Sequence, residues 1–483
     1  MSHNSGRDVL LSVGIDIGTS TTQVIFSHIT IQDMSSGFSV PRFEIIDKQI
    51  VYLGGIHTTP LLSPSRIDMA AVRDIVAGEY DLAGVDRTTI GTGAVVITGE
   101  TARKENANDV VHHLSDFAGD FVVAAAGPEL ESVIAGRGAG ADVFSKDHST
   151  TVVNYDVGGG TSNLAMFDRG RLVAVTCLDI GGRLIRVDRD RETVSYIAPK
   201  IKELCLAEGI RLREGDRADV PTLRRVCTAM TRLLEMSLGL TPKSPFFPRI
   251  RTEEDKDIVL PGIPSHICVS GGVADQIYRD QPEPDVFRYG DIGILLGQSI
   301  RESQAIARIA RIVPNQTIRA TVVGAGTHIA EISGSTIEYD ESLLPVKNVP
   351  ILKLNPAEEA SPTAMCAAIG EKLEWFRLDG ELQLVAIAFT GPRSPSFKQV
   401  GQLAQAIMEG AAPLLAAGFP LIIISENDLA KVLGQAVRAA LPGQRGFICI
   451  DAVSVASGDY VDIGTPTAKG RVLPVVVKTL LFR

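Results

Sequence analysis

The sequence predicts a multidomain α/β protein on three observations. β-branched runs alternate with segments of helical period, two glycine-rich hairpins repeat one pattern, and a strand–helix alternation recurs towards the C-terminus. The 483 residues exceed what one hydrophobic core organises, so two to four domains are expected. Hydrophobic residues at 45% and charged residues at 22% are globular values, which excludes a largely disordered chain.

Strands are predicted at Leu10 to Asp16, Thr22 to Phe26, Thr88 to Ile97, Phe121 to Ala126, Thr151 to Asp156, Leu164 to Phe167 and Leu172 to Cys177. Between them, Ile67, Ala70, Ala71, Asp74 and Ile75 fall at helical spacing, as do Val226, Met230, Leu233 and Leu234. The Pro-rich, charged segment Thr241 to Pro264 reads as a surface loop ahead of a strand at His266 to Ser270. After Arg311 the texture becomes β-rich, and from Leu382 to Asp451 a strand, helix, strand, helix, strand order predicts a separate α/β unit. A boundary is therefore expected near residue 310, with 1–310 as one unit of two lobes and 311–483 as a C-terminal region.

A formal net charge of −10 argues against nucleic acid or an anionic membrane as partner, since both require a basic face. The six cysteines are scattered without a CxxC pair, so buried free thiols are expected rather than a zinc site or disulfides. Arg7 and Asp8 precede an apolar run broken by Gly14 and Asp16, which is unlike a secretory signal. The longest apolar candidate, Ala411 to Ile424, is interrupted by Pro413, Gly418 and Pro420, so no span is expected and the chain reads as cytoplasmic.

The chemistry is concentrated in two hairpins. In Val13 to Phe26 an apolar strand ends at Asp16 and turns through Gly18, Thr19, Ser20 and Thr21 into a second strand. Glycine permits a close backbone turn that presents N–H groups, and the hydroxyls add donors for anionic oxygens. By itself this is also an ordinary Asp-Gly turn. Val152 to Asp168 repeats the pattern with Asp156, Gly158, Gly159, Gly160, Thr161 and Ser162, so two such hairpins could clamp one polyphosphate. Asp16 and Asp156 would supply the one or two carboxylates with which magnesium is commonly held beside phosphates. A third turn, Ser270, Gly271 and Gly272 after the His266 strand, suits adenosine and its ribose.

This order of hairpin, hairpin and adenosine turn resembles the actin, sugar-kinase and heat-shock-chaperone ATPases, whose fold is the ribonuclease H-like, two-lobed actin type. Gly127 to Gly140 and Tyr289 to Ile300 resemble the two helices that cross between the lobes in that superfamily, with small residues Ala135, Gly136, Gly138, Gly293 and Gly297 suited to a hinge. Leu178 to Ile185 resembles the segment after the chaperones' second hairpin. The resemblance implies ATP and Mg2+ as cofactors. Glu129 and Glu131, at the start of the first crossing helix, become candidates to orient the attacking water, the plain alternative being exposed helix carboxylates. The chaperones carry an acidic residue where this chain has Asn163, which implies only weak Mg-dependent ATPase activity. Tyr460 to Thr467 echoes the first hairpin but reads as a turn, and His57, His112 and His113 lack a metal-ligand pattern.

The strings GIDIGTSTTQ, TGAVVITGETARKENA, AAGPELESVIAG, NYDVGGGTSN, SGDYVDIG and PVVVKTL are similar to those of the ethanolamine ammonia-lyase reactivating factors, across nearly the whole chain. Membership of that family implies an ATP-dependent chaperone that frees the adenosylcobalamin enzyme ethanolamine ammonia-lyase of damaged cobalamin and admits intact cofactor. It does not require this chain to hold cobalamin tightly, and it leaves open association with an ethanolamine-utilisation microcompartment. A small-molecule kinase of the same fold is the alternative, and a filament or membrane-recruited scaffold is a third class.

Overall fold

In the computed structural model the described residues are 7–33, 43–63, 65–99, 101, 104–119, 122–126, 128–252, 260–328, 331–333, 336–378, 381–441, 445–466 and 470–479. The first lobe runs β1 (Arg7–Ile17), β2 (Thr21–Asp33), β3 (Phe43–Thr58), α1 (Met69–Ala83), β4 (Ile90–Ile97), α2 (Ala107–Ala118), β5 (Val122–Ala126) and α3 (Pro128–Gly138). Its sheet has the order β3-β2-β1-β4-β5. The second lobe follows with β6 (Thr151–Val157), β7 (Ser162–Asp168), β8 (Arg171–Leu178), α4 (Val220–Ser237), β9 (His266–Ser270), α5 (Gly293–Glu302), β10 (Ala310–Arg311) and α6 (Ala320–His328). Its sheet order is β8-β7-β6-β9-β10, the same arrangement strand for strand.

Period-two patterning explains the layers. Val13, Ile15 and Ile17 of β1 pack with Val72 and Val76 of α1 and Val110 and Leu114 of α2. The intervening Gly14 and Asp16 face the other way, and a Cβ on Gly14 would collide with the α6 backbone at Val322 and Gly326. In the second lobe Val153, Tyr155 and Val157 of β6 join Met230 and Leu234 of α4 and Leu295 and Leu296 of α5, leaving Asn154 and Asp156 on the opposite face. The predicted surface loop at 241–264 also contributes to this core, because Phe247 and Ile250 are buried in it.

The lobes exchange helices. α3 leaves the first sheet and packs on β6, β7 and β8, whereas α6 leaves the second sheet and packs on β1, β2 and β4. The two cross with their backbones in contact: a Cβ on Gly138 would overlap the Ala320 carbonyl, and one on Gly324 would overlap the Ile134 carbonyl. This is the two-lobed actin-like fold. The helix expected as the second crossing element, α5, instead packs on α4, and Gly297 abuts Val273 and Gln276. The crossing element is α6, which lies past residue 310 and is packed into the two-lobed unit.

The C-terminal region comprises β11 (Glu331–Ile332), β12 (Glu338–Tyr339), β13 (Val346–Lys353), α7 (Pro362–Leu373), β14 (Ala386–Phe389), α8 (Phe397–Gly410), β15 (Leu421–Ser425), α9 (Ala430–Ala440), β16 (Phe447–Asp451), β17 (Asp459–Ile463) and β18 (Pro474–Thr479). One sheet holds them in the order β11-β18-β17-β13-β14-β15-β16-β12. β13 to β16 are parallel and joined through helices, and the β14–α8–β15–α9–β16 part is the alternation predicted from Leu382 to Asp451. Tyr460 to Ile463 belongs to strand β17, hydrogen-bonded to both β13 and β18, so the expected turn there begins only after Ile463. The strand part of this echo, Tyr460 to Ile463, is thus sheet-building.

Gly324→Ala is expected to destabilise the protein by about 1–3 kcal/mol or more, as overpacking does, because its Cβ would meet backbone that cannot yield. Gly78→Ala in α1, where a Cβ meets nothing within 4 Å, is expected to stabilise by about 0.5–1 kcal/mol through helix propensity. Chemical denaturation of both variants measures the contrast; equal effects would remove the helix crossing as a packing constraint.

Candidate functional site

The two hairpins are built alike. Gly18 N–H donates to the Thr21 carbonyl at 2.8 Å, and Gly158 N–H donates to the Thr161 carbonyl at 2.9 Å, closing equivalent turns after β1 and β6. They face each other across the cleft. A Cβ on Gly159 would sit 2.8 Å from Ser20 Oγ, and one on Gly99, whose φ is +61°, would sit 2.5 Å from Thr19 Oγ1 and 3.7 Å from Thr161 Oγ1. Glycine at 99 and 159 keeps open the space between the hydroxyls of both loops.

Neighbouring segments hold the loops in place. Thr59 Oγ1 and Thr101 Oγ1 both donate to the Gly18 carbonyl, at 2.8 and 3.2 Å. The Leu178–Ile185 segment laces onto the second hairpin, Gly182 N–H donating to the Gly158 carbonyl at 3.0 Å and Arg183 N–H to that of Gly159 at 2.7 Å. Ser162 spends its hydroxyl on the Ile180 carbonyl at 2.8 Å, which makes it a strut of the hairpin.

Three carboxylates converge beneath the loops. Asp16 Oδ1 accepts from Thr98 Oγ1 at 3.0 Å, and Asp156 Oδ1 accepts from Ser270 Oγ at 2.7 Å, with Thr321 Oγ1 of α6 at 3.5 Å from Oδ2. Asn154 Nδ2 in turn donates to Ser270 Oγ at 3.0 Å. Glu131 of α3 is buried and accepts from Gly99 N–H at 3.4 Å. Burial pushes Asp16 up to about 7, with Thr98 opposing and the negative Asp156 adding to the rise. Burial likewise pushes Asp156 up to about 6 against the hydrogen bonds of Ser270 and Thr321. Glu131 is held well above the usual carboxylate range by burial and then by Asp156 and Asp16. A cation beside Asp16 and Asp156 would favour the ionised form of both.

Among the described residues no group of three or more His, Cys, Asp or Glu side chains forms a metal cage. Two carboxylates beside phosphate-binding loops fit a hydrated cation shared with phosphate oxygens. Of the predicted residues, Asp16, Asp156, Glu131, Gly18 to Thr21 and Gly158 to Thr161 are brought to this cleft, and the side chain of Glu129 lies outside the described residues. Ser270 orients Asp156, whereas Gly271, with φ +88°, seats its backbone against Val157, and the space around Gly272 is open. Sequence reading overlooked Thr98, Thr321 and Asn154, which lie 82, 165 and 116 residues from the groups they bond. His57, which lacks a metal-ligand pattern in the sequence, lies 2.5 Å from the buried Glu79.

Residues 8–483 match the family described as "Ethanolamine utilisation protein EutA". The chain belongs to this family. The Escherichia coli K12 protein "Ethanolamine ammonia-lyase reactivase EutA" is 36% identical over 477 residues, covering 98% of each chain. The Salmonella typhimurium LT2 protein of the same description is 36% identical over 490 residues, again covering 98% of each. Among solved structures, the Ppx/GppA family member of Aquifex aeolicus aligns over 66% of this chain and 97% of its own, at 15% identity and a TM-score of 0.39. No helix among the described residues of this EutA-family chain is long and apolar enough to cross a membrane.

The raised carboxylates set a pH dependence. A folded-state pKa above the unfolded value contributes stability that is complete below about 4, the unfolded carboxyl value, and is lost as pH rises through about 6 for Asp156 and about 7 for Asp16. Without divalent cation the melting temperature is therefore expected to fall between those limits, and Asp16→Asn is expected to flatten the fall. Thermal scans in a chelator test this, and a profile unchanged by Asp16→Asn would exclude Asp16 as its source.

Proposed function

We propose that this chain is an ATP-dependent reactivating factor for ethanolamine ammonia-lyase, releasing damaged cobalamin so that adenosylcobalamin can replace it. The observation that carries this reading is the facing pair of carboxylate-led hairpins, Asp16 with Gly18–Thr21 and Asp156 with Gly158–Thr161, in a chain whose relatives are described as reactivases of that lyase. The hairpin N–H groups and hydroxyls would bind polyphosphate oxygens, and Asp16 and Asp156 would hold Mg2+ beside them. Bound magnesium supplies charge neutralisation between the phosphates and the buried carboxylates. Thr98, Ser270 and Thr321 orient those carboxylates, and Glu131 orients water above the cleft floor. Asn163, a neutral amide opposite Asp156, leaves hydrolysis slow.

Work on the partner follows from how α6 is connected. Its first turn carries Thr321 to Asp156, its middle crosses α3, and its last residue lies three positions before β11 of the C-terminal sheet. Nucleotide-dependent rotation of the lobes about the crossing moves that sheet, and the part of region 311–483 that follows α6 transmits the motion to the lyase. Exposed aromatic side chains there, Phe397 at 92% and Trp375 at 68%, have the character of interface anchors. The reaction takes place in the cytoplasm, where the lyase can also be housed in an ethanolamine-utilisation microcompartment.

Incubation with cyanocobalamin-blocked lyase, ATP, Mg2+ and adenosylcobalamin is expected to restore lyase activity. Asp16→Asn and Asp156→Asn are each expected to weaken Mg-ATP binding by about tenfold or more, roughly 1.4 kcal/mol, in calorimetry, with unchanged circular dichroism and loss of recovery. Phe397→Asp is expected to keep Mg-ATP binding yet lower recovery. Recovery independent of ATP, or rapid phosphate transfer to a small molecule in place of recovery, would overturn the reading.

A further inference from the structure

Two buried amides on the floor of the cleft have polar atoms that the folded chain leaves unmet. Gln23 and Asn163 are buried, yet Oε1 of Gln23 and both amide atoms of Asn163 lack a hydrogen-bond partner. Nε2 of Gln23 reaches only long contacts, 3.4 Å to Thr21 Oγ1 and 3.4 Å to the Ile318 carbonyl. Asn163 lies near enough to Glu131 to favour its charged form without forming a well-made hydrogen bond. Unmet polar groups inside a protein cost stability, and native chains keep them where a ligand or water completes them.

Strand register relates the two positions. Gln23 on β2 directly opposes Asp16 on β1, and Asn163 on β7 directly opposes Asp156 on β6. Opposed residues of an antiparallel pair share one face of the sheet. Each lobe thus sets a carboxamide beside its carboxylate, at equivalent positions of two sheets with the same strand order. A carboxamide donates and accepts at once and carries no charge, so it can bridge a water to a carboxylate but cannot take that water's proton at neutral pH.

We propose that Gln23 and Asn163 are a matched pair of water-positioning residues, whose unpartnered amide atoms hold the waters of a divalent cation bound beside Asp16 and Asp156. The inference rests on the Mg-ATP reading of the cleft. The pair would steady the hydrated metal while leaving water unactivated, which suits a switch that responds to binding. The chain then bears the cost of two unsatisfied amides in its metal-free state in return for an ordered shell when loaded.

Replacing each amide with an apolar residue tests this in the full-length protein. For Gln23→Leu and Asn163→Leu, the metal-free melting temperature is expected to stay level or rise, while Mg-ATP affinity by calorimetry falls about tenfold, the usual scale for an outer-shell change at a metal site. Asn163→Asp, which keeps an acceptor in place, is expected to bind within about threefold of wild type, about 0.65 kcal/mol, and to hydrolyse ATP faster. Leucine variants that melt earlier than wild type would mark the amides as structural and overturn the pair. Wild-type affinity in both leucine variants would also overturn it. Absence of Mg-ATP binding by the wild-type protein would instead overturn the reading of the cleft, and the pair with it.

Discussion

Backbone contact between α3 and α6 is the constraint on which the remaining arrangement hangs. Gly138 and Gly324 allow two helices from different lobes to cross with no side chain between them, and Gly14 and Gly326 seat α6 against β1. Through α3 the first lobe delivers Glu131 to the cleft, and through α6 the second lobe delivers Thr321. Neither lobe completes the site alone. The same helix leads into the C-terminal sheet, so a change felt at Asp156 has a short covalent route to the far region.

Electrostatics makes the cleft costly as it stands. Three carboxyl groups are buried together; burial raises the pKa of each, and repulsion from neighbouring carboxylates adds to the rise at Asp16 and Glu131. Hydroxyl donors at Thr98, Ser270 and Thr321 offset part of that cost but supply no positive charge. Residues chosen for stability alone would not be gathered in this way, and a site that trades stability for a metal and phosphate is a consistent account. Internal duplication adds economy: two sheets of one strand order each contribute an aspartate, an amide across from it and a glycine turn.

How far the sequence could be read depended on whether a feature was local. Asp16 with Gly18 and Asp156 with Gly158 were legible because strand, turn and strand follow each other within a few residues. β3, sixteen residues long, was overlooked because Asp47, Lys48 and Gln49 break its apolar pattern on an edge that faces solvent. Tyr289 to Ile300 resembles a crossing helix in sequence, and its glycines would suit a close crossing. Small residues permit a close approach without specifying the neighbour, and Gly297 meets Val273 while Gly324 meets Ile134.

By itself the sequence determined the α/β class, the two phosphate-type hairpins, their order and the family to which they belong, since all of these are periodicities and short strings along the chain. Only the tertiary structure decided that Ser270 serves Asp156, that Thr98 serves Asp16, and that Gln23 Oε1 and the Asn163 amide atoms are left unpartnered on the cleft floor. Those facts depend on which strands lie side by side and which helices cross. Such pairings join residues scores of positions apart, and chain-local propensity carries no record of them.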